Sequence, residues 1–214
     1  MRHLLDTYIQ ADESRVLSKF DDPGLVDLVV QKGPEAFEHL PENIRSDREA
    51  MAETIENNLR RIIIDEQPVN PKYYEKMSEL LDALIEERRQ QALEYEEYLK
   101  RLVELSNKIR NPGGSAHYPP NINSPARCAL YDNLKDRPEI ETIVSEMHVV
   151  ADMPDMVAFL ALAVDDVVRN TKKADWRGNR FKEREVRNAI AEVIGSHDEL
   201  VDLLFDIVKN QNEY

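Results

Sequence analysis

The stretch from Pro71 to Arg110 constrains this chain most. Met77, Leu81, Leu84, Arg88, Gln91, Tyr95, Tyr98, Leu102, Leu105 and Ile109 step alternately by four and three residues, which is the spacing of a helical seam. Asn70 offers a capping side chain, and Pro71 suits a first helical position because no N–H is needed there. Asn111-Pro112-Gly113-Gly114 supplies the stop, since proline disfavours helix before it and glycine invites a turn. The pattern predicts one continuous helix of about 40 residues and about 60 Å. Leu80, Leu99 and Val103 widen the seam beyond a strict a/d line. The rod is therefore expected to pack on helices of its own chain.

The seam is interrupted by Glu86-Glu87-Arg88-Arg89-Gln90-Gln91, polar on every face. A segment of this kind reads as a helix crossing solvent between two packing regions. The alternative is a polar contact with a partner, anchored by Arg88 and Arg89.

The rest of the composition points the same way. Glycines number 6, and the clearest β-branched run is the short Ile62-Ile63-Ile64. The expected fold class is all-α, an irregular helical bundle around the long helix. A length of 214 residues allows a sizeable core. The expectation is a single helical domain over 1–214, divisible into a lobe with the rod (1–111), a loop (112–123) and a C-terminal lobe (124–214). The loop is placed at Asn111 to Ile122 by its Pro, Gly and Ser content.

Twenty-eight Lys and Arg face 42 acidic residues, a formal net charge of −14. A free-standing nucleic-acid binder normally carries a basic excess, so the chain as a whole is expected to bind DNA weakly or not at all. The single Cys128 leaves no intrachain disulfide and no cysteine-rich zinc site. It sits in an apolar helical run and reads as a buried free thiol. No apolar run approaches the length of a membrane span and no signal peptide opens the chain, so a reducing cytoplasm is expected.

In order, helices are expected over Arg2 to Phe20, Gly24 to Gln31 and Glu35 to His39. The next runs from Ser46, whose Glu49 three residues on makes a capping-box signature, to Asp65. After the rod come Ser124-Pro125 to Leu134, Pro138 to Val150, Pro154 to Lys173, Phe181 to Ile194 and Asp198 to Asn210. No internal repeat interrupts them.

Catalytic signatures are absent from the sequence. The glycines form no phosphate-binding loop, and His3, His39, His117, His148 and His197 are scattered without metal-ligand spacing. Ser115 and Ser124 have no acid placed to complete a triad. No catalytic, cofactor or metal residue is assigned.

Two features remain. Trp176, the only tryptophan, lies in the link Asp175-Trp176-Arg177-Gly178-Asn179. It reads as a packing anchor for the link or, alternatively, as an interface centre. Around it, Arg169, Lys172, Lys173, Arg177, Arg180, Lys182, Arg184 and Arg187 face only Asp175, Glu183 and Glu185, eight cations against three carboxylates and so a local excess of five. A solvated helix face is the plain reading. A docking site for phosphates or an acidic partner is the other, with Trp176, Arg177, Arg180, Lys182 and Arg184 as candidate contacts beside Arg88 and Arg89.

The run from Ile64 to Leu81, IDEQPVNPKYYEKMSELL, resembles the C-terminal helical region of the R subunit of type I restriction–modification enzymes. The resemblance continues at Ser124-Pro125-Ala126, Ala129 to Leu134, Asp175 to Asn179, Val186 to Ile190, Val208 to Gln211 and Glu213-Tyr214. It covers most of the chain; Arg137 to Met156 follows the family pattern less closely. In that family the subunit joins a nuclease domain, ATPase motor domains and this helical tail, and works with methyltransferase (M) and specificity (S) subunits. The resemblance implies an ATP- and magnesium-dependent DNA translocase and endonuclease as the parent. It implies for this chain a non-catalytic role in fastening the motor to the M subunit. The nuclease and ATPase motifs are absent from these residues, so Met1 is expected to begin a truncated product. A DNA-contacting role through Arg169 to Arg187 stands as the alternative.

Overall fold

The computed structural model describes residues 24–33, 35–36, 47–90, 93–114, 118–147 and 155–214. The helix expected over Arg2 to Phe20 lies outside them, as do most of Glu35 to His39 and the end of Pro138 to Val150. All regular structure among the described residues is helical: α1 (Leu25–Lys32), α2 (Arg48–Glu66), α3 (Pro71–Arg89), α4 (Tyr95–Arg110), α5 (Pro125–Leu134), α6 (Ile140–Glu146), α7 (Met156–Thr171), α8 (Arg180–Ile194) and α9 (Asp198–Asn210). The all-α expectation holds.

Local signals explain most boundaries. Asn70 accepts a hydrogen bond from the Tyr73 amide and Pro71 takes the first position of α3. Ser124 and Pro125 repeat the arrangement at α5. Helix α2 starts one residue later than the capping box at Ser46 implies. Its cap is Asp47, whose carboxylate accepts from the Glu49 and Ala50 amides at 2.9 and 3.2 Å. An aspartate serves as well as a serine there and adds charge at the positive end of the helix.

The continuous rod does not form. Helix α3 ends at Arg89, α4 begins at Tyr95, and the two pack on each other as a hairpin. Tyr73 donates to the Lys108 carbonyl at 2.7 Å and Tyr74 to the Ile109 carbonyl at 3.4 Å, joining the start of α3 to the end of α4. The seam survives the fold: Met77, Leu81 and Leu84 on one arm and Tyr98, Leu102, Leu105 and Ile109 on the other are all buried. Folding back lets each arm cover the other's apolar stripe, whereas an extended rod needs separate partners for both. The charges around the break also suit two helix ends. Arg88 and Arg89 close α3, and Glu96 and Glu97 open α4, each favoured by the helix dipole.

Buried side chains form two clusters. One joins α1 to α4 around Ile55, Leu59, Leu81, Tyr98 and Leu102. The other joins α5 to α9 around Leu130, Leu134, Leu160, Val164, Ile190, Val201 and Leu204. Helix α3 packs on α5 and connects them. No described helix is long and apolar enough to cross a membrane.

Candidate interaction site

Segments far apart in sequence meet in space. Asn70 stands at the centre of the junction between the clusters. Its side-chain oxygen accepts from Asn133 Nδ2 at 2.8 Å and its nitrogen donates to Asp132 at 2.8 Å. Asn133 returns an oxygen to the Lys72 amide, and Tyr118 donates to Asp132 at 2.7 Å. Burial pushes the Asp132 carboxyl above its usual range, although the hydrogen bonds from Tyr118 and Asn70 pull the other way. Gln211, beyond α9, donates to the Val69 carbonyl at 2.6 Å.

A second polar centre closes the C-terminal cluster. Asp165 of α7 is completely buried. It accepts from Arg127 and Arg169 at 2.8 Å each and from the Tyr214 hydroxyl at 2.7 Å. Burial opposes its charge, but those donors outweigh it and hold the carboxyl below the ordinary range. Glu213 beside it accepts from the Ala126 amide at 3.0 Å and from Arg169 at 3.2 Å.

The Trp176 link is built into the same body. Trp176 is buried and meets Phe205 of α9 edge-on, with ring centroids 6.2 Å apart. Its indole nitrogen is buried without a hydrogen-bond partner among the described residues. Arg177 stacks over that indole and donates to the Lys209 carbonyl at 2.8 Å and to the Gln211 carbonyl. It thus caps α9 at the end where carbonyls lack partners and the dipole favours a cation. The packing-anchor reading describes Trp176 in this structure, and Arg177 extends it.

Most of the local basic excess is matched within the fold. Arg169 serves Asp165 and Glu213, and Lys172 donates to the Glu213 carbonyl. Lys173 pairs with Glu185, Lys182 donates to the Ala174 carbonyl, and Arg187 pairs with Asp202 and Asp198. The sequence count omitted the acidic face of α9, which lies across from α8. Only Arg180 and Arg184 of the candidate contacts in this stretch remain exposed without a hydrogen bond or ion pair among the described residues.

The other pair of candidates divides. Arg88 is turned inward, with its side chain 12% exposed; it pairs with Glu49 and with buried Glu56 at 3.0 Å. The Tyr98 hydroxyl donates to the same Glu56, and burial together with that bond raises the tyrosine's pKa. Residues 86–90 therefore end one arm of the hairpin with an inward arginine, in place of the expected solvent bridge. Arg89 is exposed.

One residue escaped the sequence reading. Phe181 is 85% exposed, the most exposed large hydrophobic side chain described. The signal was available, because the buried stripe Val186, Ile190, Ile194 steps by four and does not pass through 181.

Cys128 is buried and free, and burial pushes its thiol up to about 11. Among the described residues no three or more His, Cys, Asp or Glu side chains are grouped to hold a metal ion. Comparison with protein-family models, curated proteins and solved structures gives no match.

Proposed function

We propose that this chain is the C-terminal helical region of a type I restriction enzyme R subunit, a non-catalytic body that fastens the ATP-driven motor to the methyltransferase core. The observation that carries the reading is the convergence of the resembling segments. Asn70, Asp132, Asn133, Gln211, Glu213 and Tyr214 belong to separate stretches of that resemblance, and they share two hydrogen-bonded centres. Arg177 ties a further stretch to the end of α9. Chance similarity scattered along a chain has no reason to assemble this way, whereas residues that specify one shared fold do. Buried polar networks of this kind fix a unique arrangement only when every member is satisfied.

The DNA-contacting alternative is weakened by the same geometry. Six of the eight cations between Arg169 and Arg187 are engaged inside the fold. Phosphate contacts need free cations, and their number sets the salt dependence of binding.

Size-exclusion chromatography of the chain with purified cognate M subunit tests the proposal. Co-elution as a complex is the expected result; separate elution at micromolar concentration of both proteins overturns it.

A further inference from the structure

We propose that Phe181, flanked by Arg180 and Arg184, is the anchor of a protein-docking surface that fits an apolar pocket rimmed by carboxylates. The inference rests on the reading above and names the part of the surface that meets the M subunit.

Phe181 occupies a position outside the packed core. It lies 85% exposed in the first turn of α8, away from the buried stripe of that helix. Nothing in the fold is gained from an aromatic ring there, since its burial would be its only contribution to stability.

The backbone at Phe181 is firmly tied. Asn179 caps the helix by accepting from the Phe181 and Lys182 amides at 3.1 and 3.3 Å. Gly178, at φ 77°, donates its amide to Glu183 at 2.8 Å, and Lys182 reaches back to the Ala174 carbonyl at 2.6 Å. With Trp176 buried in the preceding link, these bonds fix the backbone that carries Phe181. A fixed aromatic loses little conformational freedom when it is bound, which is the property of an interface centre.

Positive charge flanks the ring. Helical geometry places Arg180, Arg184, Asn188 and Phe181 within an arc of about 100°. Arg180 and Arg184 are exposed and make no hydrogen bond or ion pair among the described residues; the charge of Arg180 acts on Glu183 only at longer range, and Arg180 occupies the first helical position, where the dipole disfavours a cation. The nearest acids are already committed: Glu183 to Lys209 and Gly178, and Glu185 to Lys173. The next acid on this face, Glu192, lies about 16 Å along the helix from Phe181. An apolar ring between two free guanidinium groups is complementary to a pocket with an acidic rim. A nucleic acid is disfavoured as occupant, because among the described residues only Arg180 and Arg184 of the cations in this stretch are without a hydrogen bond or ion pair, and the chain carries a net charge of −14.

The test uses the full chain and purified M subunit, with binding followed by biolayer interferometry over a salt series. Phe181→Ala should weaken binding by roughly tenfold or more, mainly through faster dissociation. Arg180→Ala with Arg184→Ala should slow association and flatten its salt dependence. Lys100→Ala, an exposed cation on α4 outside every candidate contact, is the control and should leave both rates unchanged. Circular dichroism melts must coincide with wild type, and Phe181→Ser provides a second variant of the same position. If wild type binds while both Phe181 variants keep its affinity within twofold, this surface assignment is wrong and the proposed function stands. If wild type does not bind, both fall. Phe181-dependent binding of a single-stranded oligonucleotide, without binding to the M subunit, would assign the surface to nucleic acid and overturn the proposal.

Discussion

Tyr214 donates its hydroxyl to Asp165 at 2.7 Å, joining a residue after the last helix to the buried centre of α7. Because Asp165 also receives Arg127 and Arg169, one carboxylate gathers three segments of the C-terminal cluster. Removing its charge leaves two arginines facing a neutral group, and breaking a buried pair costs roughly 3–5 kcal/mol. Asp165→Asn should therefore lower the melting temperature by many degrees, and Tyr214→Phe by less, since it removes one hydrogen bond worth about 1–3 kcal/mol to a charged group. Thermal melts of the two variants check the order.

The same carboxylate gives a pH signature. Its folded pKa lies below the ordinary value, so its stabilisation is fully present above the unfolded pKa of about 3.9 and is lost as pH falls through the folded value. Urea titrations from pH 6 to pH 2.5 should show wild type losing stability below about pH 4 more steeply than Asp165→Asn. Parallel acid limbs would contradict this account of Asp165.

At the hairpin corner, Arg88→Ala and Arg89→Ala should part company. The first leaves Glu56 buried with only the Tyr98 hydroxyl for company, a loss of roughly 3 kcal/mol. The second removes an exposed side chain without a partner among the described residues, and should change stability by less than about 0.5 kcal/mol. Equal melting temperatures for the two variants would remove Arg88 from the structural role assigned to it.

These predictions depend on features of unequal legibility. The helical class, the caps at Asn70 and Ser124 and the buried seam were readable because they follow from local spacing and local chemistry. The break after Arg89 was not readable from the seam, since a heptad register carries no information about whether its two halves lie end to end or face to face. Charge order around Glu86 to Glu97 held that information. The polar centres at Asn70 and Asp165 join residues far apart in sequence, which no local pattern encodes. In the candidate site, counting charges by sequence window overstated the basic patch because much of what matches it lies outside that window or in the backbone: Asp165 on α7, Asp198 and Asp202 on α9, Glu213 beyond it, and carbonyl oxygens. The exposure of Phe181 follows from its place off the buried stripe, a step that needs the helix start to be fixed first.

At the junction of the two clusters, Asn70→Ala removes the cap of α3 and one partner each of Asp132 and Asn133, which keep Tyr118 and the Ala129 carbonyl. Loss of the cap costs about 1 kcal/mol, and the two lost hydrogen bonds add roughly 1–3 kcal/mol together. Hydrogen exchange should report faster opening at the start of α3 and along α5, with α8 unchanged. Uniform acceleration along the whole chain would show instead that the junction is not a separate locus of stability.

Competition in the assembled enzyme tests most directly the proposal that this body fastens a restriction motor to its methyltransferase core. Increasing amounts of the chain, added to M and S subunits before the full-length R subunit, should progressively suppress ATP-dependent cleavage of unmodified DNA. Methylation should persist, and excess R subunit should restore cleavage. Undiminished cleavage at a large molar excess of folded chain would contradict the account.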